Sequence, residues 1–165
     1  MWVLIMSELA VFAAGLLAFL AVRLTDPLGF AEAQDHLNRV SAAINTVVLI
    51  TSGLLAALAL RAARAGRETR GWLLAASALG MVFLVLKGME YAHSAAQGIG
   101  PDSGAFFMFY FLLTGFHAVH VVAGIVVLWL CALTRRVGHI EAGTQFWHMV
   151  DLVWVILFPV IYLLR

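Results

Sequence analysis

Residues 105–133 read AFFMFYFLLTGFHAVHVVAGIVVLWLCAL, a run without a single Asp, Glu, Lys or Arg. About 20 apolar residues carry a helix across the hydrocarbon of a bilayer, so this stretch is long enough to span one. Four more segments qualify: Trp2–Val22, Ala42–Leu60, Trp72–Tyr91 and Phe146–Leu164. None alternates with period two, and a span in lipid must satisfy its own backbone groups. The expected fold is all-α, an integral membrane bundle of five transmembrane helices at about 2–22, 42–60, 72–91, 105–133 and 146–164. The length suits one domain over residues 1–165. The totals agree: 64% of residues are hydrophobic, 12% are charged and the mean hydropathy is +1.00. A soluble domain is nearer half apolar and a quarter charged.

Charge excludes some functions and orients the rest. A net charge of +1, with the basic residues in short loops, argues against a nucleic-acid partner. The lone Cys131 rules out an internal disulfide and a CxxC site. No cleavable signal pattern precedes the first span. The loop between the second and third spans carries Arg61, Arg64, Arg67 and Arg70 against Glu68, and that between the fourth and fifth carries Arg135 and Arg136 against Glu141. Both lie on one side, which the positive-inside rule makes cytoplasmic. The N-terminus is then cytoplasmic and the C-terminus periplasmic. The long loop from Arg23 to Ser41 opens with a helix stop, Thr25-Asp26-Pro27, and residues 30–40 suggest a short interfacial helix.

Ionisable groups inside a membrane are expensive and mark function by default. The first span carries Glu8, with Phe12, Gly15 and Phe19 on the same face. Lys87 and Glu90 are three apart and can meet. His117 and His120 share a face with Tyr110, Gly124 and Cys131, and His148 and Asp151 share one with Pro159 and Tyr162. Gly15, Gly80, Gly115 and Gly124 would let helices approach closely.

Glu90-x-x-His93, His117-x-x-His120 and His148-x-x-Asp151 look like ligand pairs of a di-iron bundle. Depth argues against it. Glu90 falls near the outer surface and His148 near the inner one, roughly 20 Å or more apart at 1.5 Å per residue. A metal needs its ligands within about 2–2.5 Å. A haem on His117 is a second possibility, since one axial His suffices in some proteins, but His148 is too shallow to sit opposite. The plainer reading is that these groups hydrogen-bond across helices. Glu8, His148 and Asp151 fall at similar depth, so a carboxylate–His contact is expected among them.

Five stretches, in order, also carry a family resemblance: MSELAVFAAGLLAF with Glu8, INTVVLITSG, KGMEYAHSAAQGI with Glu90 and Tyr91, TGFHAVHVVAG with His117, His120 and Gly124, and WHMVDLVWVILFPVIYLL with His148, Asp151 and Tyr162. Together they resemble subunit III of the haem–copper oxidase superfamily, the cytochrome c oxidase subunit 3 family. Long members have seven helices, of which these segments match the last five. Lys87, FFMFYFLLTG and the LFPVIYLL ending are more similar to the short members that accompany bacterial nitric oxide reductase. The resemblance implies a non-catalytic subunit of a bacterial inner-membrane respiratory complex that holds no metal and no haem. It implies packing against a catalytic subunit I, of an oxidase or a nitric oxide reductase, beside other subunits of the complex. It also implies bound phospholipid and a supporting role in assembly, proton uptake and turnover stability. The glutamate matching Glu8 is the family's carbodiimide-reactive carboxylate, and Arg135 or Arg136 matches an arginine that meets a lipid headgroup. Two other classes remain in view: a cofactor-bearing membrane enzyme or electron carrier using His117, and a small proton-coupled transporter using Glu8, Glu90 and Asp151. No inverted repeat favours the transporter.

Overall fold

Six α-helices form in the computed structural model, which describes residues 2–134 and 136–164. They are α1 (Trp2–Arg23), α2 (Pro27–Asp35), α3 (Arg39–Arg64), α4 (Arg70–Ala96), α5 (Ala105–Leu133) and α6 (Val137–Phe158), the last continuing as a π-helical segment, Pro159–Leu163. Five are long and apolar enough to cross a membrane: α1, α3, α4, α5 and α6 with its π-helical end.

Every predicted span is present, and most are longer than their apolar runs. The α3 helix begins at Arg39 rather than Ala42 and ends at Arg64 rather than Leu60, while α4 runs from Arg70 to Ala96 rather than from Trp72 to Tyr91. The largest difference is α6, which starts at Val137 instead of Phe146. Hydropathy counts only the part in hydrocarbon, whereas the helix persists as long as tertiary contacts hold it. Here Ile140 is buried, Glu141 pairs with Arg64 at 2.7 Å, and the Cys131 thiol donates to the His139 carbonyl at 3.2 Å.

The short helix after the first span is also shifted, to Pro27–Asp35 from the expected 30–40. Local chemistry fixes both ends. Asp26 caps α2, accepting from the Gly29 amide at 3.0 Å, and Pro27 enters the first turn, where a missing N–H costs nothing. Asn38 caps α3, accepting from the Ser41 amide at 3.0 Å, so the chain breaks at residues 36–38. Phe30 and Gln34 are buried, so α2 is anchored in the bundle rather than merely lying on an interface. Gln34 donates to the Ile161 carbonyl at 2.7 Å, and Arg23 donates to that of Leu164. These carbonyls belong to the wide turn that follows Pro159, where the Leu164 amide reaches back to the Pro159 carbonyl at 2.9 Å. A proline ring disturbs the regular ladder, and the π turn with side-chain donors re-satisfies it.

Helices α3, α4, α5 and α6 close a four-membered ring in that order, and α1 packs along α5 and α6. Trp147 of α6 fills the middle of the ring. Its indole N–H donates to Ser52 of α3 at 3.1 Å, and Ser52 donates on to the Ala76 carbonyl of α4 at 2.7 Å. Glycines make room for it: a Cβ on Gly80 would stand 2.6 Å from the ring, and one on Gly124 would stand 2.5 Å from it. Gly15 likewise admits Leu113 at 2.7 Å, whereas Gly115 faces only the Tyr91 hydroxyl at 3.8 Å. Close approach is therefore required at three of the four glycines named from sequence.

Candidate functional site

The arginine-rich end of the bundle holds the α3–α4 and α5–α6 loops, and the ionisable residues lie at distinct levels between it and the opposite end. Nearest the opposite end is a cluster around Glu90. One turn of α4 sets Lys87 beside it at 3.3 Å, with side-chain exposures of 2% and 7%. Tyr110 from α5 and Tyr162 from the π-helical segment each donate a hydroxyl to Glu90 Oε1 at 2.7 Å. Lys87 Nζ donates to the same two hydroxyls, at 3.1 Å to Tyr110 and 2.5 Å to Tyr162. Each phenol thus donates once and accepts once, and the ammonium spends two of its three protons on them. The rings of Tyr110, Tyr91, Tyr162 and Trp154 surround the ammonium at 4.7–5.4 Å, which adds cation–π attraction in a dehydrated place. Glu90 Oε2 has no hydrogen-bond partner.

Deeper in the bundle lies His117, fully buried. It stacks on Trp154 at 5.2 Å and meets Phe83 and Phe12 edge-on at 5.7 and 6.3 Å. Neither ring nitrogen has a hydrogen-bond partner. The expectation that its imidazole bridges helices by hydrogen bonds is therefore corrected: it packs as a flat ring in an aromatic box.

His120, one turn on, does make the expected kind of bond. Its Nε2 lies 2.9 Å from Glu8 Oε2, and its Nδ1 lies 2.8 Å from the Phe116 carbonyl. Glu8 thus pairs with a histidine of α5, and the carboxylate–His contact expected from depth counting among Glu8, His148 and Asp151 falls between the last two alone, at 3.9 Å. The count was misled by the late start assigned to α6. From Val137, His148 is 11 residues along and Asp151 is 14, about 16 and 21 Å. That is mid-span rather than near the surface. There His148 Nδ1 is 3.9 Å from Asp151 Oδ2, too long for a hydrogen bond, and Asp151 Oδ1 has no partner. The Asp151 carboxylate occupies the space that a Cβ on Gly53 would fill.

The sequence-selected groups are thus held in twos: Lys87–Glu90, Glu8–His120 and His148–Asp151. Among the described residues no three His, Cys, Asp or Glu side chains converge on one point. His93, named with Glu90, turns away to bond Gln97 at 2.8 Å. Arg136 is exposed at the start of α6, and Arg135 lies outside the described residues. Sequence reasoning missed the joint role of Tyr110 and Tyr162. The signal was present, since both fall near the same end of the bundle as Glu90 and neither phenol can be buried cheaply alone.

One consequence is measurable. Replacing Glu8 or His120 by Ala is expected to destabilise the α1–α5 contact by about 0.6–2 kcal/mol each. The double variant should cost no more than the worse single, because both remove one bond. Additive losses in denaturant titrations of the three variants would show that the pair contributes nothing as a pair.

A protein-family model described as cytochrome c oxidase subunit III matches residues 1–165, the whole chain. The cytochrome bo(3) ubiquinol oxidase subunit 3 of Pseudomonas aeruginosa is 29% identical over 175 residues, covering 99% of this chain and 82% of that protein. The cytochrome c oxidase subunit 3 of Corynebacterium diphtheriae is 32% identical over 176 residues, covering 99% and 86%. That of Arabidopsis thaliana is 36% identical over 129 residues, 72% of this chain and 48% of its own length.

Proposed function

Because the chain belongs to the cytochrome c oxidase subunit III family, we propose that it is a non-catalytic accessory subunit of a bacterial haem–copper respiratory complex. In this reading it packs against the catalytic subunit in the cytoplasmic membrane, with its arginine-rich end cytoplasmic, and supports assembly, proton uptake and sustained turnover. The observation that carries it is the pairing of the intramembrane ionisable groups. Glu8 bonds His120 from α1 to α5, Lys87 and Glu90 meet Tyr110 and Tyr162 from α5 and the π-helical end, and His117 packs among rings, as in a scaffold. Redox chemistry would belong to the neighbouring subunit.

The terminal acceptor is oxygen or nitric oxide. One observation bears on the second. Lys87, Tyr110 and Tyr162 come from the three stretches that resemble the nitric oxide reductase-associated members, and they meet around Glu90. These departures are one correlated unit rather than three.

Bound phospholipid belongs to the same reading. An exposed arginine at the cytoplasmic interface, here Arg136, suits an anionic headgroup. Glu8 is the carboxylate open to reagents dissolved in lipid, since its side chain is 28% exposed against 7% for Glu90. A hydrophobic carbodiimide is expected to label Glu8 and to spare Glu90, as read by peptide mass spectrometry. Labelling confined to Glu90 would reverse that assignment.

The test of function is purification of the tagged chain from its native membrane. Recovery of a haem-bearing subunit with oxygen- or nitric oxide-reducing activity is the expected result, and the two assays name the acceptor. A stoichiometric Soret band from the isolated chain, or recovery with no respiratory subunit, would overturn the proposal.

A further inference from the structure

Among Glu8, Lys87, Glu90, His117, His120, His148 and Asp151, His148 is the most open. At mid-span on the α3–α6 face, the His148 side chain is 45% exposed and lies beside the nearly buried Asp151. In the hydrocarbon of a bilayer neither group can find water, and an acyl chain has no donor or acceptor to offer. Intramembrane ionisable residues accordingly face other helices or a polar cavity. Here the intrachain partners fall short. The His148–Asp151 separation of 3.9 Å is too long for a hydrogen bond; Asp151 Oδ1 is sealed inside the chain, so Oδ2 and the exposed imidazole are the atoms an outside donor could reach. Glycine at position 53 is what lets the carboxylate lie along α3 instead of being shut out by a side chain.

The surroundings are open and apolar. Leu152 and Val155 follow His148 on the same stripe of α6 and are 48% and 41% exposed, while Ile50, one turn before Gly53 on α3, is 51% exposed. Other exposed faces differ. On α4, Met81, Val82, Val85 and Met89 are exposed without an ionisable neighbour of that kind, which suits lipid. On the α1–α5 side the Glu8–His120 bond is already closed at 2.9 Å. Among the described residues, the α3–α6 face is the one that combines exposed apolar side chains with a carboxylate accepting no hydrogen bond.

We propose that this face is where a membrane-spanning helix of the catalytic subunit docks, presenting an N–H or O–H donor (Arg, Lys, Ser, Thr or Tyr) to the Asp151–His148 pair. The inference rests on the accessory-subunit reading above and adds to it the contact surface and the chemistry of the partner helix. A donor supplied at mid-span fixes depth and rotation of one helix against the other, because a shift of one turn leaves the carboxylate unpaired again.

The experiment uses the full tagged chain expressed in its native membrane, with a photoreactive side chain placed at 152 or 155 and, for comparison, at 82 or 85. Crosslinks from 152 and 155 are expected to a spanning segment of the haem-bearing subunit that carries one of the named donors within a turn of the crosslink. Positions 82 and 85 are expected to yield lipid adducts alone. Crosslinks from 152 and 155 to lipid, or to a second copy of this chain, overturn the proposal. So do crosslinks to the catalytic subunit that come from 82 and 85 instead. In each of those cases co-purification of the haem-bearing subunit leaves the accessory reading standing. Its absence rejects that reading, and the docking face with it.

Two variants supply an independent measure. Asp151→Asn keeps the size of the side chain and removes its charge, and should lower the catalytic subunit retained on purification roughly tenfold. Ile50→Trp leaves the Asp151 contacts in place and adds bulk to the exposed face; its isolated chain should melt as the parent does while losing the partner to a similar extent. Full retention by Ile50→Trp overturns the proposal even if Asp151→Asn fails to fold.

Discussion

Lys87→Ala is expected to cost the bundle about 3–5 kcal/mol, the loss typical of removing one member of a buried ion pair. Both side chains of the pair are more than nine-tenths buried. Without the ammonium, Glu90 keeps two tyrosine donors but loses its neutralising charge, and the Tyr110 and Tyr162 hydroxyls lose the proton they accept. The Lys87→Met, Glu90→Gln double variant should recover most of that loss. Neither residue then carries a charge, and similar volumes fill the space. The comparison is a double-mutant cycle read by denaturant titration with tryptophan fluorescence, helped by Trp154 lying 5.4 Å from Lys87 Nζ. If Lys87→Ala shifts stability by less than about 1 kcal/mol, the pair behaves as an exposed one would and the cluster is not structural. Because Tyr162 belongs to the π-helical end, the single variant should also speed amide exchange there ahead of the rest of α6.

The second large effect is steric. Gly80→Leu and Gly124→Leu are each expected to prevent assembly of the four-helix ring, and the Ala variants to cost about 1–3 kcal/mol. Both glycines press on the Trp147 ring, from α4 and α5, at 2.6 and 2.5 Å for an added Cβ. The ring cannot slide away without breaking its bond to Ser52. Trp147→Phe removes much of the ring at the point of contact, so it should relieve part of the cost of Gly124→Ala. The pair would then be less destabilised than the sum of the singles. Gly115→Ala, whose nearest new neighbour is 3.8 Å away, should change little. Equal losses at positions 115 and 124 would show that backbone entropy, not the Trp147 contact, sets the effect.

Much of the fold is legible because lipid leaves few choices. A chain with five apolar runs and no alternation must make five helices, and capping residues such as Asp26 and Asn38 mark where two of the helices begin. Helix ends were less legible. Residues 137–145 look like a polar loop by hydropathy, yet they form the first turns of α6 because Ile140, Glu141 and the His139 carbonyl all find partners in the bundle. That one misplaced end carried through to function. It set His148 and Asp151 too shallow and grouped Glu8 with them, whereas Glu8 bonds His120.

The site was legible residue by residue but not pair by pair. The i, i+3 spacing of Lys87 and Glu90 predicts their contact, since helical geometry alone brings them together. The same spacing says nothing of Tyr162, which reaches Glu90 only because Pro159 widens the last turn of its helix. His117 and His120 are three apart as well, yet one lies sealed among rings and the other meets a carboxylate. Which face a histidine takes depends on where α1, α4 and α6 stand around α5, and no local pattern encodes that.

The sequence by itself determined that this chain lies in a membrane, how many times it crosses, and which family it resembles. All three follow from the cost of exposing backbone and charge to hydrocarbon and from the order of its motifs. Only the tertiary structure decided the partners: Glu8 with His120, Lys87 and Glu90 with two tyrosines, and Asp151 left wanting a donor. Helix rotation and register select among residues of equal depth, and those are settled by packing around Trp147 and its glycines rather than by any single helix.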